Sequence, residues 1–262
     1  MKQIYLRILT VGAFLSLACT TKVSEWVLLN SAQEQYLLVY FHDNELSENE
    51  KLRNSELESR FMNTNIILKS SVSAGLDNPY YALYLNDRLI SEYRQYKALD
   101  NIASSPLRKA IATDLKGGML CTMLYLECGN EAKDNRCLDV VRKAVKDSPF
   151  GEIITIYELD RNSAEESQFV RMLLNVEPDL PGIMEPMLFG IFGRFRALEP
   201  LVANGISEEN ISLMIDFLTA DCSCLIKDNL PGSSILFSGK WENPKPALLN
   251  DILDRHSELI HH

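Results

Sequence analysis

Cysteine is missing from the whole stretch between Thr20 and Leu120, and nowhere in the 262 residues do two cysteines form a Cys-x-x-Cys pair. The first half therefore does no thiol chemistry, because the reacting species is a thiolate. After Ala18 no segment approaches the ~18 consecutive apolar residues of a membrane-spanning helix. Basic residues are outnumbered, with 26 Lys and Arg against 36 Asp and Glu and a net charge of −10 spread along the chain. Without a basic stripe, a phosphate backbone finds no footing, and nucleic acid is excluded as a partner. Histidine is scarce: three of the four (His256, His261 and His262) crowd the C-terminus. His42 reads as a strand-end residue rather than a general base, and no histidine–carboxylate–serine spacing stands out. Lys116-Gly-Gly-Met is a loop without the pattern of a phosphate cradle, and no repeat of a solenoid recurs. What remains is an ordinary globular composition, 46% apolar and 24% charged, at a length that suits one large domain or two small ones.

The first segment bears on compartment. Met1 to Arg7 is a short basic region, and Ile8 to Ala18 is an uncharged apolar stretch. That stretch is too short to cross about 30 Å of hydrocarbon but suits a signal peptide; a buried N-terminal helix is the other reading. Leu15-Ser-Leu-Ala-Cys19 resembles a bacterial lipobox. The resemblance implies cleavage after residue 18, acylation of Cys19, and a membrane partner reached through that lipid. Thr20-Thr-Lys-Val-Ser24 carries no acidic cluster, and the expectation is an envelope protein facing the periplasm.

From Val23 onward strands and helices alternate. Trp26 to Ala32 suggests a short helix, and Tyr36–Phe41 is a continuous apolar run, as in a parallel strand buried on both faces. Ser47–Met62 is helical, with Glu48, Glu50, Glu56 and Glu58 as a solvated face. Ile66–Leu68 is a second strand. Asn78-Pro79 then opens a hairpin, Tyr80–Leu85 and Arg88–Tyr93, about the turn pair Asn86-Asp87. A helical connector over 95–114 is interrupted near Pro106. The second half restates the order: strand Leu120–Glu127, a helix opening at Cys137, strand Ile153–Tyr157 and helix Ala164–Leu174. Glu185-Pro186 then precedes strand Met187–Phe192, a further strand spans 194–202, and a helix follows its N-cap Ser207.

This pattern resembles the thioredoxin fold: βαβ, then a helix, X-Pro, a hairpin and a closing helix. The closest likeness runs from about 181 to 219, through Pro186 and Leu201-Val-Ala-Asn-Gly-Ile-Ser-Glu-Glu209. The expected fold is α/β, two thioredoxin-like domains, each a mixed central sheet flanked by helices, plus a C-terminal helix. The divisions fall at 1–18 (leader), 19–105, 106–225 and 226–262, the last a tail with an amphipathic helix over Ala247–Ile260 that docks on the second domain or on a partner. One doubly wound sheet is the alternative architecture. The resemblance also implies cis bonds at Pro79 and Pro186, and grooves beside Asn78, Pro79, Glu185 and Pro186 that grip an extended protein segment. Met184 and Met187, flanking Pro186, can join that contact or pack in the core.

The family's enzymes carry two cysteines where the first strand meets its helix. In the first half that place reads His42-Asp-Asn-Glu-Leu-Ser47, without a thiol. In the second, Cys128 ends the strand and Cys137 begins the helix, beside Arg136 and capped by Asp134 or Asn135. Three readings stand: a structural disulfide, an exchange pair with Cys137 as nucleophile and Cys128 as resolving thiol, or unpaired thiols. Cys222 and Cys224 offer two sulfurs to a soft metal. Cys121 lies in a strand as a small buried hydrophobe. With Cys19 lipidated, five thiols remain, so one at least stays outside any internal bridge. No cofactor is implied. The expected function is binding of another envelope protein or peptide, with thiol–disulfide exchange and metal handling as alternatives.

Overall fold

The computed structural model describes residues 21–247 together with Leu249 and Ile252. The leader, the lipobox, Cys19 and most of the C-terminal amphipathic helix lie outside the described residues. Among those described, no helix is long and apolar enough to cross a membrane.

The protein is α/β, with two mixed sheets flanked by helices. Helix α1 (Val23–Asn30) leads into β1 (Tyr36–His42), α2 (Glu48–Phe61), β2 (Ile66–Val72), β3 (Tyr80–Leu85) and β4 (Arg88–Tyr93). These strands form one sheet in the order β2-β1-β3-β4, with β1 and β2 parallel and the rest antiparallel. Asn86 and Asp87 both take positive φ, 49° and 63°, as a tight two-residue hairpin turn requires. A 3-10 turn (Tyr96–Leu99) and α3 (Pro106–Gly117), with Ser105 as N-cap and Pro106 in the first turn, carry the chain across.

The second sheet is built the same way. β5 (Cys121–Leu126), α4 (Glu131–Asp147) and β6 (Ile154–Leu159) form a parallel pair. α5 (Ser167–Leu173) precedes β7 (Met187–Phe192), which lies antiparallel to β5. The expected strand over 194–202 is two fragments, β8 (Arg196–Ala197) and β9 (Leu201–Val202), both against β7. Phe195 at φ 62° and Pro200, which has no N–H to give a ladder, interrupt it. α6 (Glu208–Thr219), capped by Ser207, and α7 (Cys224–Asp228) follow. β10 (Ser233–Ser234) then closes the order β10-β8-β7-β5-β6.

Every residue of β5 and β7 is buried, because both faces of this sheet are covered. One face packs with α1, α4 and α6 around Met123, Tyr125, Leu188, Ile211 and Leu218, and Leu249 and Ile252 return to the same cluster. The other packs with α3, α5 and the first sheet, so that Leu38, Leu83, Phe169, Phe189 and Phe195 share one core.

The segment after α7 is a strap between the sheets rather than a loose tail. Glu34 and Ser234 bond reciprocally, the Glu34 N–H to Ser234 Oγ at 3.0 Å and the Ser234 N–H to Glu34 Oε2 at 2.8 Å. Tyr36 Oη donates to Ser234 O at 2.8 Å, and the Phe237 N–H to Asn65 Oδ1 at 3.0 Å. Ser238 and Gly239 N–H groups reach the Ala103 and Asn63 carbonyls, both at 2.7 Å. Arg196 holds the start of the strap through the Leu230, Pro231 and Gly232 carbonyls.

Candidate functional site

Two strand-to-helix junctions, one per sheet, face an X-Pro loop. In the second sheet β5 ends at Leu126, and Asn130 caps α4 by accepting from the Lys133 N–H at 3.1 Å. α4 therefore opens at Glu131, not at Cys137. Its polar opening, Lys133-Asp-Asn-Arg136, hides the apolar face that starts at Cys137 and Leu138. Cys137 sits in the second turn and packs into the core beside Tyr125 and Leu138, away from the helix entrance that would activate a thiolate. Cys128 alone stands at the entrance, with Gly129 at φ 82° and Glu131 three residues on. Cys128 and Cys137 are separate thiols, and neither forms a staple.

Asp134, in the first turn of α4, organises this junction. Its carboxylate accepts from the Cys128 N–H at 3.0 Å, the Gly129 N–H at 3.1 Å and Tyr125 Oη at 3.0 Å. Burial, then the Asp134 carboxylate, pushes the Cys128 thiol above its ordinary value, against the pull of the Asn130 N–H and Lys133. Burial with Asp134, Asp160 and Glu158 nearby likewise raises the Glu127 carboxyl. Burial and the Asp134 carboxylate outweigh the Lys133 ammonium at the thiol, the reverse of the balance a reactive thiol needs.

The X-Pro loop is pinned against the junction. Lys133 Nζ meets Glu185 Oε1 at 2.8 Å and Oε2 at 3.0 Å, which brings Glu185 and Pro186 to the mouth of α4 near Cys128. Arg161 donates to the carbonyls of Glu127 at 3.3 Å, Ile183 at 2.8 Å and Glu185 at 2.9 Å, tying the end of β5 to the loop. Met184 projects, 66% exposed, while Met187 is fully buried. Both prolyl bonds assigned as cis are trans: the described residues contain no cis peptide. That follows the intrinsic trans preference of about 0.5–1 kcal/mol for X-Pro.

In the first sheet, His42 ends β1, buried, with Nδ1 2.6 Å from the Asn44 carbonyl. Ser47 caps α2 in a full capping box with Glu50. Glu50, assigned above to a solvated face with Glu48, Glu56 and Glu58, differs from them. Its carboxylate also accepts from Tyr40 Oη at 2.6 Å, and these bonds hold its pKa down at about 2. Burial and that bond raise the Tyr40 phenol. A cleft of about 400 Å³ opens here, lined by Tyr40, Glu50, Arg53, Pro79, Arg94 and Tyr96 among others. Pro79 lines the cleft and is exposed, as is Asn78 before it in sequence.

The low Glu50 pKa has a pH signature. Its stabilisation is complete above 4.5, the ordinary value, and is lost as pH falls through about 2. Glu50→Gln is expected to lose about 1 kcal/mol at neutral pH, read from the urea midpoint. It should also flatten the acid dependence between those limits; equal acid sensitivity in both chains would contradict the assignment.

The cysteine pair near the C-terminus does not converge. Cys222 is buried and its N–H donates to the Thr21 carbonyl at 2.9 Å, whereas Cys224 is exposed at the start of α7. Among the described residues no group of three His, Cys, Asp or Glu is placed to hold a metal ion. Cys121 is fully buried in β5, its thiol pushed up to about 12 by desolvation. Sequence reasoning missed Arg53, Arg94 and Arg161, which distant segments bring into place, and read Asp134 as a cap for a helix opening at Cys137 rather than as the acceptor at the Cys128 junction. Asn130 before Glu131 was the one local signal that places the helix start correctly. No protein-family model matches the chain, and a search of curated proteins returns no match.

Proposed function

We propose that the chain is a lipid-anchored protein of the bacterial cell envelope, with two thioredoxin-like halves that bind an extended segment of another envelope protein without exchanging disulfides. The thioredoxin-like reading is supported by the strand order common to both sheets, parallel β1/β2 and β5/β6 followed by an antiparallel strand after X-Pro. The binding reading rests on one observation. At the mouth of α4, Cys128 has no second thiol three residues on, and burial together with Asp134 favours its protonated form. Exchange through Cys137 and Cys128 would require Cys137 to leave the core. The mouths beside Pro79 and beside Met184 offer surfaces for a partner instead.

The test places a photo-activatable residue at Asn78 or Met184 of the full chain, expressed with its leader in a bacterial host. A discrete adduct in the membrane fraction, resistant to reductant and unchanged by Cys128→Ser, is expected. In the same preparation, alkylation of Cys128 should show a pH midpoint above 9.0. No adduct at either position, an adduct released by reductant, or a thiol midpoint below about 8 overturns the reading.

A further inference from the structure

We infer that the cleft beside α2 is a carboxylate-binding site that reads an acidic peptide. This rests on the binding function proposed above and specifies the ligand of its first half.

The cleft measures about 400 Å³, within the range of sites that hold a ligand rather than a few waters. It exists because the first half is incomplete on this side. In the second sheet α6 packs along α4, whereas the turn at Tyr96 touches α2 at Glu56 and Arg60. The cleft is left between α2 and the end of β4, with Tyr40 and Tyr81 stacked 4.5 Å apart in its wall.

The charges on its rim call for an anion. Arg53 of α2 and Arg94 just after β4 both line the cleft and are exposed, and neither side chain makes an ion pair or hydrogen bond with a described residue. On the same helix Arg60 pairs with Asp100 at 2.9 Å and Lys51 with Glu48 at 2.8 Å. The positive charge of Arg53 is felt in the cleft, where it opposes the rise in the Tyr40 and Tyr81 phenols. Glu50, the carboxylate of the lining, is already held by Tyr40 and Ser47. Two exposed arginines lining one cleft each supply a forked guanidinium donor of the kind that matches carboxylates, beside a wall of tyrosine rings. A lone arginine on a surface is solvated and means little. Two without partners, in a chain with 36 acidic residues available, are a different matter.

Calorimetric titration of the full chain in detergent tests this with a blocked Asp-Glu tetrapeptide, its Asn-Gln twin, succinate and phosphate. The acidic peptide should bind, weaken with salt, and bind about tenfold less to Arg53→Gln or Arg94→Gln. Arg142→Gln, whose side chain pairs with Glu158 in the second half, should bind normally, and unchanged thermal midpoints would show that the variants fold. Equal affinity for the two peptides, or no effect of either arginine change, overturns the site. Tighter binding of succinate or phosphate than of the peptide overturns the peptide as its source. An Asn78 photo-adduct that survives both arginine changes overturns the carboxylate reading alone. Absence of any adduct in the unaltered chain, with the acidic peptide still titrating, overturns the envelope-binding function and leaves the anion site standing.

Discussion

Replacing Arg108 with methionine is expected to destabilise the protein by about 3 kcal/mol, the largest loss from any single polar side chain between the sheets. Arg108 opens α3 and is fully buried. Its guanidinium donates to the carbonyls of Asn101 at 2.7 Å, Ile102 at 2.8 Å and Leu236 at 3.1 Å, and its Nε to Ser105 Oγ at 3.0 Å. It lies 5.7 Å from the centre of the Phe169 ring. Desolvation lowers its pKa to about 10, partly offset by the Glu166 carboxylate, so the group remains charged at neutral pH. Methionine preserves the stem and relieves the buried charge. It leaves the Ile102 and Leu236 carbonyls without their donors and the Asn101 carbonyl with only the Ser104 N–H at 3.4 Å, and it takes the cation away from Glu166. Lysine should recover only part of the loss, because a point charge does not span three carbonyls as a fork does. Since Leu236 belongs to the strap, the variant should also be cut faster between Pro231 and Gly239 by a protease. A urea midpoint shifted by less than the equivalent of 1 kcal/mol would show that the carbonyls find other partners.

How far such features were legible in the sequence depends on their range. The β3–β4 hairpin was readable to the residue, because Asn86-Asp87 sits between two strand-like runs and both residues accept the positive φ of a tight two-residue turn. β5 and β7 were readable as continuous apolar runs, because a strand covered on both faces has no polar side to interrupt it. The start of α4 was not, since its first turns face solvent and only Asn130 marks the boundary. Nor was the strap: Pro231-Gly-Ser-Ser-Ile has the composition of a loop, and its bonds to Glu34, Tyr36 and Asn65 link residues far apart in sequence. Arg53 and Arg94 were invisible as a pair for the same reason. One lies on a helix that looks uniformly solvated, and the other follows a strand on the far side of a hairpin. A place in the fold was easier to read than a chemical environment: Cys128 was found at the right junction, but what surrounds its thiol came from Asp134.

Asp134 therefore makes the second large prediction, and it separates structure from reactivity. Asp134→Ala should cost about 3 kcal/mol, because it strips the acceptor from the Cys128 and Gly129 N–H groups and from Tyr125 Oη in a buried setting. Asp134→Asn should cost less, since one carbonyl oxygen remains to accept while the amide turns a donor toward one of the two N–H groups. Both changes remove the carboxylate that helps hold the Cys128 thiol protonated, so both should lower the pH midpoint of its alkylation. A raised folded-state thiol value means that the protonated form is the one the fold favours, and the contribution fades as pH rises through that value. The asparagine chain, less damaged, is the informative one: it should alkylate at lower pH while keeping most of its urea resistance. If its midpoint stays where it was, burial alone sets the thiol. If it falls toward neutrality, a single carboxylate is what keeps this helix entrance from reacting. The helix entrance would then present one reactive thiol, still without a resolving partner, because Cys137 stays packed in the core.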